Sequence, residues 1–321
     1  MTSFPTSDEL LNSPSFVVCL RRNKKRFFYT RNLLNKAGFK KVYPFEAVDG
    51  VSMRDSKDEW HHRWHPLANS LGLPSVHQEG MHGGGGQFGI TMSLLTLFGW
   101  VSISSKHGMM IFEDDALPRP DFGKIFPQYW SAIAQEGADM VYIGGQLHPN
   151  EIKDSSSTCG YYTTQAAQCM HALYITKLGA KKILDFMPFV AEARHRHRLK
   201  YGNNSDWTPI DNTLKLINSP RAVAHFFSSV GMDKHKRFCP DFKCVSFIGS
   251  KIPVEGSYEG TPWENRSDGI IHQNADLGSN LHGLDISRMR KETETAQEGK
   301  DVFHESMFKI DEETGEGYIE T

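Results

Sequence analysis

The tripeptide Glu113-Asp114-Asp115 is where residue type and position in this chain first point to chemistry. Three successive carboxylates repel one another, and each disfavours ionisation of the next unless a counter-charge stands close by. They follow Met109-Met-Ile-Phe112, a short apolar run that reads as a buried strand. In an open α/β sheet the ligand crevice lies outside the carboxyl ends of the strands. Strand alternation would put Glu113 and Asp115 on one face and Asp114 on the other. Hard oxygen ligands at such a place suit Mg²⁺ or Mn²⁺ with a bound diphosphate, the ion acting as a Lewis acid on the leaving group. The plainer alternative is a solvated acidic turn in which Asp115 helps to cap the next segment.

Other groups point less sharply. His61, His62 and His65 include an i, i+4 pair, but there is no HExxH and Pro66 interrupts any long helix. Cys239 and Cys244 lack a second close pair, so zinc is disfavoured. The run Gly83–Gly86 is not followed by GK[ST] and is no P-loop; a lid hinge or a plain linker are its two readings. Two basic clusters, Arg21–Arg26 and Arg194–Arg198, could meet an anionic ligand or simply be solvated.

The elements that must position these groups follow from periodicity and turn signals. Residues 1–15 read as a flexible polar leader. Phe16–Leu20 is a first strand, a helix runs from about Phe27 to Ala37 with Gly38 as its stop, and Lys41–Phe45 is a second strand before the Asp49-Gly50 turn. Strand, helix, strand at this spacing is a βαβ unit, which argues for a parallel sheet. Residues 51–86 read as a short helix and a long loop. Phe88–Ser105 has helical spacing, with Leu94, Leu97 and Val101 as a core stripe. Met140–Ile143 and Ala172–Ile175 read as strands, Gly179–Phe186 as a helix stopped near Pro188, residues 208–216 as a helix and Ala222–Phe227 as a strand. From about residue 283 apolar density falls and acids dominate, which reads as a flexible tail over 283–321.

Composition bounds the function classes. The 321 residues carry 36 Lys and Arg against 38 Asp and Glu, a net charge of −2, so no global field draws the chain to nucleic acid or an anionic membrane. Fully apolar stretches stay below the roughly 18 residues of a membrane span. The N-terminus lacks a basic start followed by an apolar run, and five cysteines make no disulfide framework. Together these suggest a cytoplasmic enzyme-sized α/β chain.

Several segments, in order, resemble the glycosyltransferase family 25 proteins, the lipooligosaccharide and collagen galactosyltransferases. They are Val17–Leu20 with Arg26, Leu34, Gly38 and Ala47–Gly50; Gly86–Gly89 with Ser93 and Leu95, then Ile111–Asp115; Asp139 to Gly144, Ala172–Ile175 and Gly179–Leu184; Pro209–Asp211; and Ile271–Gln273 with Ser279. The sequence departs from that family at Gln87, where glutamate is usual, and at Leu94, where Ser93 would be followed by histidine.

The resemblance implies a single GT-A-like (Rossmann-like) domain over 16–282, with a mostly parallel central sheet flanked by helices. It implies a UDP-hexose donor, Mn²⁺ or Mg²⁺, and transfer, with inversion, to a hydroxyl of a glycan, a lipid-linked sugar or a protein. Glu113 and Asp114 would then lie on the donor side with Arg26 and the backbone of Leu20. Asp115 would hold the metal on the diphosphate with Glu113, His272 completing the shell in preference to His225 or His235. Asp211 is the candidate general base, against the plain reading of a helix N-terminal charge. An inactive relative that binds glycan or protein, and a metal-dependent phosphohydrolase, are the alternatives.

Overall fold

The computed structural model describes residues 4–55, 84–147, 162–164, 166–202, 210–238, 240–247, 269–273, 308–310 and 317–319. His61, His62, His65, Gly83 and Cys239 lie outside them. The chain forms two compact units, each discontinuous in sequence: Met1–Glu46, Trp100–Gly179 and Lys243–Thr321 in the first, Ala47–Gly99 and Ala180–Phe242 in the second. The stretch expected as one domain over 16–282 is thus divided between them.

The first unit opens with α1 (Ser7–Asn12), where a loose leader was expected. Thr6 and Glu9 form a reciprocal capping box at its start, and Leu10 is buried. Trp130 donates its indole N–H to the Pro5 carbonyl at 2.8 Å, and Phe4 stacks edge-on against His107 and Tyr174. Strand β1 (Pro14–Cys19) leads through a single 3₁₀ turn, Arg21–Asn23, into α2 (Lys24–Ala37). Gly38 ends α2 at φ 113°, the left-handed conformation that glycine adopts without a Cβ clash, and its N–H meets the carbonyls of Leu34 and Asn35. Strand β2 (Lys41–Glu46) then pairs parallel with β1, completing the βαβ unit.

The remaining elements of this unit are β3 (Gly108–Glu113), β4 (Ala116–Pro118), β5 (Met140–Gln146), β6 (Tyr162–Thr163), β7 (Gln168–Thr176), β8 (Cys244–Phe247), β9 (Ile271–Gln273), β10 (Phe308–Ile310) and β11 (Gly317–Ile319). Seven strands make one mixed sheet in the order β2-β1-β3-β7-β5-β8-β6. β1, β2, β3, β5 and β8 share one direction; β7, in the middle, and β6, at the edge, oppose them. β4 pairs with β9 and β10 with β11, both antiparallel, so part of the acidic segment 283–321 forms a two-stranded ribbon.

Helices flank the sheet. Residues 122–135 form a helix whose Phe122, Ile125, Phe126, Trp130 and Ile133 recur at helical spacing and join Val17, Phe112 and Tyr174 in the core. Gly144 on β5 carries a structural demand of its own: a Cβ there would stand 2.3 Å from the Ile271 carbonyl oxygen. The missing side chain lets the β9 segment lie against β5, where Ile270 N–H meets the Ile143 carbonyl at 2.8 Å.

In the second unit α3 (Gly50–Asp55) starts where Asp49 accepts from the Ser52 N–H at 3.0 Å. Helix α4 (Gly84–Ile103) spans both units, and Leu94, Leu97 and Val101 are buried as the stripe predicts. Its Gly85–Ile103 portion, with mean hydropathy 1.3, is long and apolar enough to cross a membrane, yet 56% of that stretch is buried inside the protein. We number the helix over Phe122–Gln135 α5.

Two expectations fail here. Helix α6 (Lys177–Tyr201) does not stop at Pro188 but runs on through the Arg194–Arg198 cluster. After α7 (Ile210–Ile217), the stretch expected as a strand over Ala222–Phe227 is the helix α8 (Pro220–Ser229). Pro220 sits in its first turn and the Ser219 hydroxyl accepts from the Ala222 N–H; Val223, Phe226 and Phe227 then fall on one buried face.

Candidate active site

β1 and β3 lie side by side and parallel, with Val18 opposite Glu113. From β1 the chain goes to β2 on one side, then returns past β1 to β3 on the other. This reversal is a topological switch point, and the space beyond the carboxyl ends of such strands is where open α/β sheets take their ligands. The acidic tripeptide occupies one lip of it.

The geometry there corrects two expectations. Strand β3 ends at Glu113 and the next two residues turn, so the alternation that would separate Asp114 from Asp115 is lost. Both carboxylates instead meet one cation. Arg26 Nη2 lies 2.7 Å from Asp114 Oδ1 and 3.5 Å from Asp115 Oδ2. Nor is Arg26 solvated: it is 1% exposed, Asp114 3% and Asp115 4%. The counter-charge that three adjacent carboxylates require is therefore built into the fold.

Helix α2 positions that charge by its own periodicity. Arg26 and Thr30 are four residues apart and share a face. Arg26 takes the Asp114 side chain, and the Thr30 hydroxyl donates to the Asp114 carbonyl at 2.6 Å. A cation in the first turn of a helix opposes the helix dipole, so this placement reflects the tertiary ion pair and not helix preference. Cys19 completes the floor: its Sγ donates to the carbonyls of Leu20 and Asn23, both at 3.4 Å. Burial, and next to it the Asp114 charge, pushes the thiol well above its ordinary value, so it stays protonated and inert. The Leu20 carbonyl, expected on the donor side, also accepts the Asn23 N–H at 2.8 Å within the 3₁₀ turn.

The candidate ligand His272 comes close in the chain pairing. β4 begins directly after Asp115, and in the antiparallel β4–β9 pair His272 stands opposite Leu117 and Gln273 opposite Ala116. Arg119, buried at the end of β4, donates to both carboxylate oxygens of Asp121 at 3.0 and 2.9 Å, and its N–H donates to the Ile270 carbonyl at 3.2 Å. That pair holds the β4–β9 ribbon beside the acidic turn. Thr30 and the Arg119–Asp121 pair were missed by sequence reasoning. The i, i+4 spacing of Arg26 and Thr30 and the Arg-x-Asp spacing were the signals that could have found them.

Asp211 belongs to the second unit, as the second residue of α7, with Oδ1 accepting the Asn212 N–H at 2.8 Å. The rivals of His272 also belong to the second unit: His235 lies 5.3 Å from the Phe189 ring, and His225 is exposed on α8. Gln87 and Leu94, the departures from the family pattern, are both buried on α4, and Ser93 between them bridges the Gly89 carbonyl (2.7 Å) and the Val48 N–H (2.9 Å).

Among the described residues no three His, Cys, Asp or Glu side chains converge as a metal cage. Mg²⁺ and Mn²⁺ on nucleotide diphosphates need no such cage, since one or two carboxylates suffice and phosphate and water oxygens complete the shell. The carboxylates of the Glu113–Asp115 turn fit that requirement in type and in number. No family model matches the chain, and no curated protein matches it.

Proposed function

We propose that the protein is a metal-dependent glycosyltransferase, GT-A-like in fold, that moves a hexose from a UDP-sugar to an acceptor hydroxyl. The observation that carries this reading is the Asp114–Asp115 turn, charge-balanced by buried Arg26, at the switch point between β1 and β3. Asp115 and Glu113 would hold Mn²⁺ or Mg²⁺, with His272 as a further ligand from the neighbouring ribbon. The ion would offset charge on the departing diphosphate. Arg26 fixes the turn so that its carboxylates need not rearrange when the donor arrives. Asp211 would take the proton of the attacking hydroxyl, as an inverting transfer requires. The acceptor class is a glycan, a lipid-linked sugar or a protein.

Release of UDP from a panel of UDP-hexoses, with Mn²⁺ and with chelator, tests this directly. Wild type should turn over only with metal, and Asp115→Ala should lose about 10²-fold or more. Turnover indifferent to both chelation and the substitution sinks the metal assignment.

A second reading, a binding module without catalysis, is favoured by the engagement of both turn carboxylates with Arg26. Calorimetry that finds glycan binding but no UDP or UDP-sugar binding would select it.

A further inference from the structure

The exposed side of α6 changes character along its length. Over its first two thirds opposite charges pair four residues apart, Lys181 with Asp185 at 3.2 Å and Glu192 with Arg196 at 2.7 Å. From residue 193 to 201 there is no acid, and Arg196, Arg198 and Lys200 stand among Leu199 and Tyr201. Arg194 is turned into the core at 2% exposed, but Leu199 is 76% exposed and Tyr201 55%. Among the described residues only four large hydrophobic side chains are exposed, and three of them, Leu199, Tyr201 and Phe238, belong to this part of the second unit. Single exposed apolar residues need no explanation, whereas several beside a run of cations do.

The fold gathers these groups on one surface. Phe189, Arg196, Leu199 and Lys200 recur at i, i+7, i+10 and i+11 and so share one stripe of α6. The 3₁₀ segment Asp233–Phe238 lies beside that stripe: Phe238 stacks on Phe189 with ring centroids 4.6 Å apart and planes 10° from parallel, and His235 is 5.3 Å from the same ring. The Arg237 guanidinium lies 4.7 Å over the Phe238 ring, and Lys234 is exposed next to it. Lys236 is held by Asp233 at 2.7 Å. Further along the stripe Lys200 donates to the Ser229 carbonyl at 2.9 Å and lies 4.9 Å over the Tyr201 ring. From Phe189 to Leu199 the surface is about 15 Å long, at 1.5 Å per helical residue.

We propose that this face docks the protein on an anionic phospholipid bilayer, with Lys200, Lys234 and Arg237 against headgroup phosphates and Leu199, Tyr201 and Phe238 entering the boundary between headgroups and acyl chains. Cations supply attraction to anionic lipids, and apolar side chains beside them supply the burial that holds a peripheral protein at the interface. Aromatic rings with a polar edge or a neighbouring cation suit the headgroup level. A nucleic acid would satisfy the cations and stack on the rings, yet it offers little to bury an aliphatic side chain as exposed as Leu199. The attraction is local: the chain as a whole carries −2, so the contact depends on this face and not on net charge. The proposal is independent of the glycosyltransferase reading, because the face includes no residue of the Glu113–Asp115 turn.

The test is co-sedimentation of the full chain with vesicles of phosphatidylcholine alone and of phosphatidylcholine with phosphatidylglycerol, at low and high salt, without nucleotide or metal. Wild type should bind the anionic vesicles about tenfold more than the neutral ones, and high salt should remove most of that difference. Two double variants, Leu199→Ser with Phe238→Ser and Lys234→Glu with Arg237→Glu, should each lose about tenfold. Lys36→Glu, an exposed lysine of the first unit, should bind like wild type. All four substituted side chains on the face are exposed, and thermal unfolding checks that each variant folds; if one does not, the other decides. Equal binding to both kinds of vesicle, no binding to either, or wild-type binding by the Leu199 and Phe238 variant overturns the proposal. A chain that ignores vesicles but retards a single-stranded RNA, and loses this with Lys234→Glu and Arg237→Glu, assigns the face to nucleic acid and overturns it as well.

Discussion

Arg26 and Arg194 are equally buried and are treated in opposite ways by the fold. In the first unit Arg26 is met by two carboxylates and lies one helical turn from a threonine that secures the same turn. In the second unit Arg194 lies among mostly apolar side chains, Phe226 and Thr213 included, with Arg198 one turn away. Both side chains have lost their water, so each must recover the solvation of its charge elsewhere. Arg26 recovers it from two carboxylates, whereas Arg194 meets no carboxylate among the described residues. A buried arginine is thus ion-paired in one case and set against apolar side chains in the other, and burial alone does not distinguish them.

The contrast can be broken at four places, in falling order of effect. Arg26→Met should destabilise the protein by about 3–5 kcal/mol, because it leaves two carboxylates buried without their cation. Urea unfolding measures this, and a loss below about 1 kcal/mol would mean that the turn re-solvates. Thr30→Val keeps shape but removes the hydroxyl that donates to the Asp114 carbonyl, and the same assay should read a loss of about 1 kcal/mol. Arg194→Met carries the opposite sign: it should be neutral or stabilising by about 1 kcal/mol, since it removes a buried charge that no carboxylate among the described residues offsets. A loss like that of Arg26→Met would show that Arg194 has an internal partner after all.

The smallest effect belongs to the partly exposed pair Glu136–Lys243, a reference for charges that keep contact with water. Hydrogen bonds from Lys243 (2.6 Å) and Tyr162 (2.5 Å) hold the Glu136 carboxyl below its ordinary range. A lowered carboxylate contributes stability above its unfolded value that is lost as pH falls towards its folded one. Glu136→Gln should therefore cost under about 1 kcal/mol at neutral pH, and the difference from wild type should shrink as pH drops below about 4. Unfolding curves at pH 7 and pH 3 supply that comparison.

Much of the scaffold was legible. The βαβ start, the Gly38 stop, the buried strand before Glu113 and the α4 stripe follow from hydrophobic period and glycine placement, which act over a few residues. The errors have local causes too. Ala222–Phe227 suggests a strand because a short segment with five apolar residues around His225 has no unambiguous period, although Ser219-Pro220 is a helix start signal in plain view. Pro188 was read as a stop, yet α6 continues past it. A proline removes one N–H and crowds one carbonyl, and packing of the flanking turns can outweigh that.

The site divides along the same line. Chain order alone determined that three carboxylates end a strand, that an arginine opens the helix after the first strand, and that Arg194 belongs to a basic run. Tertiary structure decided which of these charges are buried and which meet. Arg26 reaches Asp114 across nearly ninety residues because β1 and β3 are neighbours in the sheet. Arg194, four residues from its like-charged neighbour, reaches no carboxylate among the described residues. Charge is a property of residues, whereas its compensation depends on distance and on the exclusion of water, and only the packed chain sets those two quantities.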